Sequence, residues 1–201
     1  MNFLCLDSST AFPSVSIYID NHHVDTMLDL DGNSSSLPII TNKIIKKNSF
    51  KFIDFSSISI TVGPGSYTGI RVGLSFAQGL AYSLGVNILP VNILDVIAYH
   101  VDTVEEILVA SYSHSDFVFS TTFNAGKSNH IELTDINKLK GKQVFGIGLD
   151  KYKNIINYKS IEFSSKQIGQ FSINRYHQSF VSEIGDIKPI YLNEHINSTK
   201  A

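Results

Sequence analysis

Residues 61–73 read TVGPGSYTGIRVG, with four glycines and one proline in thirteen positions. A β-branched run at residues 58–62 leads into this stretch, and a helical pattern over residues 68–84, stopped by Gly85, leads out of it. The stretch is therefore a strand-to-helix corner. Such a corner can hold a phosphate, raise a nucleophilic serine, or let another backbone come close. A Walker-type phosphate loop needs Gly-Lys-Ser/Thr, and no lysine follows these glycines. A serine elbow needs a glycine on each side of the nucleophile, whereas Ser66 sits in Gly-Pro-Gly-Ser-Tyr. Backbone geometry remains: Gly63 and Gly65 allow a tight turn, Pro64 stiffens it, and Ser66 or Thr68 caps the helix.

The helix after the corner carries the main question. Its apolar and small residues fill an arc of roughly 200°, about twice what a helix lying on one sheet requires. Gly69, Gly73 and Ala77 form a strip at i, i+4 and i+8. Glycine inside a helix costs about 1 kcal/mol against alanine, so the strip implies close approach of another element. One reading sandwiches the helix between its own sheet and a neighbouring helix. The other docks a partner protein on the outer half of the arc, beside Leu37, Ile40 and Ile44 of a preceding helix. The candidate interface is then Leu37, Ile40, Ile44, Gly69, Ile70, Gly73, Leu74 and Ala77. On that reading Gly73→Arg abolishes association and leaves the fold largely intact.

Outward from the corner, three strands come first: residues 3–6, then alternating apolar residues over 15–19 and 24–28, with a turn at Asn21-His22-His23. Ser34–Ser36 offer cap oxygens to a helix with Pro38 in its first turn and Lys43, Lys46 and Lys47 towards its end. After the corner helix come a strand at 86–91 and a helix marked by Leu94, Ile97, Ala98 and Val101. The order β-β-β-α-β-α-β-α is that of a ribonuclease H-like or actin-like half. The expected fold is α/β, with mixed β-sheets and flanking helices in a two-lobed, ribonuclease H-like or actin-like architecture. The first lobe spans residues 1–100. A reduced second lobe spans 101–201, with its last residues packing back on the first. Within it, strands are expected at 107–110, 117–123 and 144–147 and a helix at 166–181. No internal repeat is evident.

Composition excludes several function classes. The formal charge of −2 is not that of a strongly basic nucleic-acid binder. The single cysteine, Cys5, leaves no intramolecular disulfide and suits a cytoplasmic setting. The first residues lack a signal-peptide pattern, and no apolar run approaches the ~20 residues that span a bilayer. The histidines, at 22, 23, 100, 114, 130, 177 and 195, form no His-x-x-x-His, so no metal site is expected. A ribonuclease H-like nuclease needs a second acid on its central strands, and residues 58–63 contain none.

An actin-like ATPase grips phosphate with two acidic, hydroxyl-bearing hairpins, one per lobe. Asp7, Ser8, Ser9 and Thr10 resemble the first, and the matching place in the second lobe reads Val109-Ala110-Ser111-Tyr112-Ser113, without Asp or Gly. A small-molecule kinase or ATPase using residues 7–10 is therefore the alternative function, and a serine hydrolase at Ser66 a third.

Leu6-Asp7-Ser8-Ser9-Thr10, the segment from Val62 to Gly73, Gln78-Gly79-Leu80-Ala81 and the strand at 85–91 together resemble the TsaB (YeaZ) family, over about the first half of the chain. Pro189-Ile190-Tyr191-Leu192 is similar to a short signature of that family, with Asn193 where an arginine is usual, and Ser111-Tyr112-Ser113-His114 departs from its Asp-Ala-Arg-type segment. The resemblance implies an ASKHA fold and a part in making N6-threonylcarbamoyladenosine at position 37 of tRNAs that read ANN codons. It implies a non-catalytic subunit that pairs with a TsaD-like transferase through first-lobe helices, is joined by a TsaE-like ATPase, and meets tRNA through the complex. The transferase carries a His-x-x-x-His after its fifth strand, and residues 91–100 here have no histidine pair. Residues 7–10 are then a vestigial phosphate hairpin, and Gly63, Pro64, Gly65 and Ser66 a structural loop. The chain is expected to bind no cofactor alone, to leave room for a nucleotide at the partner interface, and to pair with itself when its partner is missing.

Overall fold

The computed structural model describes residues 1–175 and 183–192. A first sheet is formed by β1 (Phe3–Asp7), β2 (Ser14–Ile19), β3 (His22–Leu28), β4 (Ser57–Gly63) and β5 (Asn87–Asn92), in the order β3-β2-β1-β4-β5. β2 is antiparallel to β1 and β3, while β1, β4 and β5 run parallel. Every residue of β1 and β4 is buried, which is why these central strands read as unbroken apolar or small-polar runs. The turn between β2 and β3 falls at Asp20 and Asn21, whose φ values of 49° and 65° suit a two-residue hairpin. It lies earlier than the sequence reading placed it, and His22 and His23 open β3 instead.

Helix α1 (Leu37–Lys47) joins β3 to β4, α2 (Tyr67–Leu84) joins β4 to β5, and α3 (Ile93–Tyr99) follows β5. Pro38 sits in the first turn of α1, but the serines do not cap it. Ser36 makes no side-chain cap bond, and Asn33 caps the short 3-10 turn Ser34–Ser36 by accepting from Ser35 N at 3.0 Å. Ser66 caps α2, and Gly85 ends it in the left-handed conformation at φ 67°.

The second sheet contains β6 (Ile107–His114), β7 (Phe117–Asn124), β8 (Lys127–Ser128), β9 (Glu132–Asp135), β10 (Gln143–Ile147) and β11 (Asn157–Ser160). Its order is β11-β10-β6-β7-β8, with β9 also paired to β7. β7 is antiparallel to β6 and β9, while β6, β10 and β11 run parallel. Thus β6, β7, β9, β10 and β11 repeat the order and direction of β1 to β5. Where the first sheet has α1 and α2, the second has the 3-10 turns Ile136–Leu139 and Asp150–Tyr152.

The helix that follows each sheet reaches the other one, and Val96 of α3 also joins the first sheet's cluster. From α3, Ile93, Leu94 and Ile97 cluster with Ile107, Val109 and Phe123 of the second sheet. From α4 (Ser165–Arg175), Ile168 and Phe171 cluster with Phe3, Cys5, Tyr18, Leu89 and Val91 of the first. A Cβ on Gly169 would lie 2.1 Å from the Tyr18 ring, and the Tyr18 hydroxyl donates to Lys166 O at 2.7 Å. Residues 176–181 of the expected helix lie outside the described residues.

Candidate functional site: the first hairpin and the outer face of α2

Asp7 ends β1 with a carboxylate that is 0% exposed. Its Oδ1 accepts from Ser9 N at 3.0 Å, Ser9 Oγ at 2.6 Å and Thr61 Oγ1 at 2.6 Å, and its Oδ2 accepts from Thr10 Oγ1 at 2.5 Å. Charge-assisted bonds of this kind offset the cost of burying the charge. They also turn the acid inward, onto its own hairpin and β4. A carboxylate spent in this way offers little to a metal or a phosphate.

The hairpin is seated on the corner helix. Ser8 Oγ donates to Gly69 O at 2.7 Å, and Ser66 N donates to Ser9 O at 2.8 Å. A Cβ at Gly65 would lie 2.5 Å from Ser9 O, at Gly69 1.9 Å from Ser8 O, and at Gly73 2.0 Å from Ser8 Oγ. The glycine strip therefore admits residues 8 and 9 of the same chain. Ser66 Oγ meanwhile accepts from Gly69 N at 3.1 Å, which gives this serine a capping role. Gly63, at φ 116°, precedes Pro64 through a cis peptide bond, and a Cβ there would meet Ile190 O at 3.0 Å.

Ile190 belongs to a strap, residues 183–192, laid along α2. Ile190 N donates to Val62 O at 2.8 Å, and Gln78 Nε2 donates to Ile184 O at 2.8 Å and Ile187 O at 3.2 Å. Ile184, Ile187 and Ile190 pack into the cluster that holds Leu74, Ala77, Ala81, Phe76 and Leu80. Sheet, hairpin and strap together account for most of the wide apolar arc of α2.

This corrects the candidate interface. Leu37, Ile40 and Ile44 of α1, and Gly69, Ile70, Gly73, Leu74 and Ala77 of α2, are all buried within the chain. Hydrophobic periodicity marks a face that is covered, without saying by what. Arginine at Gly73 would collide with Ser8, so it tests the fold and not association. The outer face is carried by Ile39 (57% exposed) on α1 and by Arg71, Ser75, Gly79 and Tyr82 on α2, with Val72 and Phe76 half-buried between them. A Cβ on Gly79 would meet nothing within 4 Å among the described residues. At one end of this face the Arg71 guanidinium stacks 3.6 Å over the Tyr67 ring, and Arg71 Nε donates to the Tyr191 hydroxyl at 2.6 Å.

The second sheet has no counterpart to the first hairpin. Val109 to Ser113 lie within β6, and a tight turn at Ser115 and Asp116 leads to β7. Lys151 Nζ donates to Ser115 O at 3.0 Å, and Ser111 Oγ is buried without a hydrogen-bond partner among the described residues. Among the described residues no group of three or more His, Cys, Asp or Glu could hold a metal ion, and no described helix is long and apolar enough to cross a membrane. A cavity of about 130 Å³ between α3, α4 and the second sheet is lined in part by Asp95, Tyr99, Phe171 and Arg175. Burial raises the Asp95 carboxyl above the usual range, and Arg175 opposes that shift.

The geometry can be set beside known proteins. The family model described as TsaD, tRNA N6-adenosine threonylcarbamoyltransferase, matches residues 32–181. Over 184 residues the chain is 27% identical to the tRNA threonylcarbamoyladenosine biosynthesis protein TsaB of Buchnera aphidicola subsp. Schizaphis graminum, covering 82% of this chain and 86% of that protein. The chain belongs to the TsaB (YeaZ) family. The TsaB of Haemophilus influenzae is 29% identical over 100 residues, which span 49% of this chain and 42% of that protein, under half its length. YeaZ from Pseudomonas aeruginosa superposes with a TM-score of 0.76 at 19% identity, covering 95% of this chain and 99% of that one. That likeness and the doubled sheet order make the fold actin-like, as the TsaB resemblance implied.

Proposed function

We propose that this TsaB-family chain is a non-catalytic scaffold and activator for threonylcarbamoyl transfer to A37 of ANN-decoding tRNAs. It acts in the cytoplasm as a heterodimer with a TsaD-like transferase. A TsaE-like ATPase joins that pair, and tRNA is met through the complex. The observation that carries this reading is the inward-turned Asp7. The one acidic hairpin spends its carboxylate on Ser9, Thr10 and Thr61, and β6–β7 supplies no second grip. A kinase or ATPase working from residues 7–10 is poorly served by that arrangement. Any nucleotide in the assembly would then sit at the partner interface.

Docking falls on the outer face of α1 and α2, not on the buried residues that periodicity marks. Gly79 supports this placement, because a helix-interior glycine costs about 1 kcal/mol and nothing among the described residues needs its lack of a Cβ. The test is co-purification with the cognate TsaD-like transferase, read together with threonylcarbamoyladenosine in tRNA hydrolysates. Gly79→Arg is expected to abolish co-purification and the modified nucleoside while leaving the melting temperature of the isolated chain nearly unchanged. ATP turnover by the purified chain that disappears in Asp7→Ala would overturn the reading.

A further inference from the structure

Arg71 is an unusual cation for this surface. Helices α1 and α2 contain Lys43, Lys46, Lys47 and Arg71 and no acidic residue, in a chain whose formal charge is −2. Lys47 is paired with Asp25 at 2.8 Å. Arg71 pairs with no carboxylate among the described residues. Its guanidinium is nevertheless fixed, stacked over Tyr67 at 3.6 Å and held through Nε by Tyr191, whose ring centroid lies 5.5 Å from that of Tyr67. One of five N–H donors is thereby used. The Nη end of the fork stays at the surface, with Tyr67 58% and Tyr191 43% exposed.

We propose that Tyr67, Arg71 and Tyr191 form a seat for a carboxylate on the helical face of the partner subunit. This rests on the reading of α1 and α2 as the docking face. The Nη end of a guanidinium presents two parallel donors that match the two oxygens of a carboxylate. Stacking and the Tyr191 bond fix the long side chain in advance, so less conformational freedom is lost on docking. The seat continues into Ser75 and Gly79, four and eight residues further along α2, where a flat protein surface can lie. With Lys47 spent on Asp25 and no acid on either helix, the fixed charge of Arg71 favours an acidic group on the partner and repels a basic one.

The test measures association of wild type, Arg71→Lys, Arg71→Gln and Tyr191→Phe with the cognate transferase by calorimetry over about 50 to 300 mM salt. Wild type is expected to weaken with salt. Arg71→Gln should weaken binding about tenfold at low salt and flatten the salt dependence, with Arg71→Lys falling between because a point charge cannot fork. Melting temperatures of the isolated chains keep the outcome readable. Unchanged binding by Arg71→Gln overturns the seat and leaves the subunit reading standing. So does an equal loss of melting temperature in Arg71→Gln and Tyr191→Phe with binding untouched, because the clasp then only fastens the strap. Failure of wild type itself to associate removes the subunit reading, and the seat falls with it.

Discussion

β1 to β5 and β6 to β11 follow the same path through two sheets, yet only the first path carries full helices. Between β1 and β2 the chain spends residues 8–13 on a polar hairpin that is seated on α2, whereas β6 and β7 are joined through Ser115 and Asp116. Where α2 follows β4, only the turn Asp150–Tyr152 follows β10. The comparison separates two layers of information. Strand order needs alternation and short connections, which both halves keep. The docking face proposed for α1 and α2 needs helices between the strands, and among the described residues the second sheet has only 3-10 turns there.

The largest effects should come from glycines that each half places against a carbonyl. A Cβ at Gly69 would lie 1.9 Å from Ser8 O, and one at Gly146 would lie 1.9 Å from Ala110 O. Gly69→Ala and Gly146→Ala are each expected to cost about 3 kcal/mol, read as a lowered midpoint in thermal or urea unfolding. If the halves depend on each other, both variants melt in one transition; two transitions would break the comparison. Asp7→Ala should cost about 2 kcal/mol, because donors from Ser9, Thr10 and Thr61 lose their acceptor inside the hairpin. Its ATP affinity, by equilibrium dialysis, should match that of wild type.

Ser111→Ala sharpens the contrast from the other side. Its Oγ is buried without a partner among the described residues, so removing it should leave stability unchanged or raise it by about 0.5 kcal/mol. The smallest effect is a pH dependence at the α4 seam. His23 Nε2 lies 2.7 Å from Thr26 Oγ1, which continues through Ser16 Oγ to Ser165 Oγ at the start of α4. Burial, then the charge of Lys166, pushes the His23 imidazole below its ordinary value. The unfolded chain therefore binds the proton more readily, and stability falls as pH drops below about 6.5. His23→Gln should flatten that slope in melts across the window.

The first half was largely legible because its pattern is strong. β1, β2, β4, α2 and β5 each announce themselves by alternation, β-branching or a capped helical stretch, and Gly85 marks the helix end at the residue where it occurs. The second half hid its likeness to the first. Lys127–Ser128, Glu132–Asp135 and Asn157–Ser160 are short, mostly polar edge strands, exposed or half-buried, and they carry no period to follow. With α1 and α2 replaced by single turns, no helical signal survives to reveal the duplication. The glycine strip does mark a close approach, but the visitor is Ser8, more than fifty residues upstream. A wheel shows which face is covered. It cannot show that residues 8, 9, 184, 187 and 190 do the covering, since that depends on contacts far apart in sequence.

The exchange of helices between the sheets has a consequence for synthesis. When residue 92 has left the ribosome the first sheet has all its strands, but Phe3, Cys5, Tyr18, Leu89 and Val91 still lack Ile168 and Phe171. That rear surface waits through the making of the whole second sheet. A nascent chain in this state presents a bare apolar wall to its surroundings, the kind of interval in which chaperones are recruited and neighbouring chains stick. The arrival of α4 thus sets the moment at which the first sheet becomes safe.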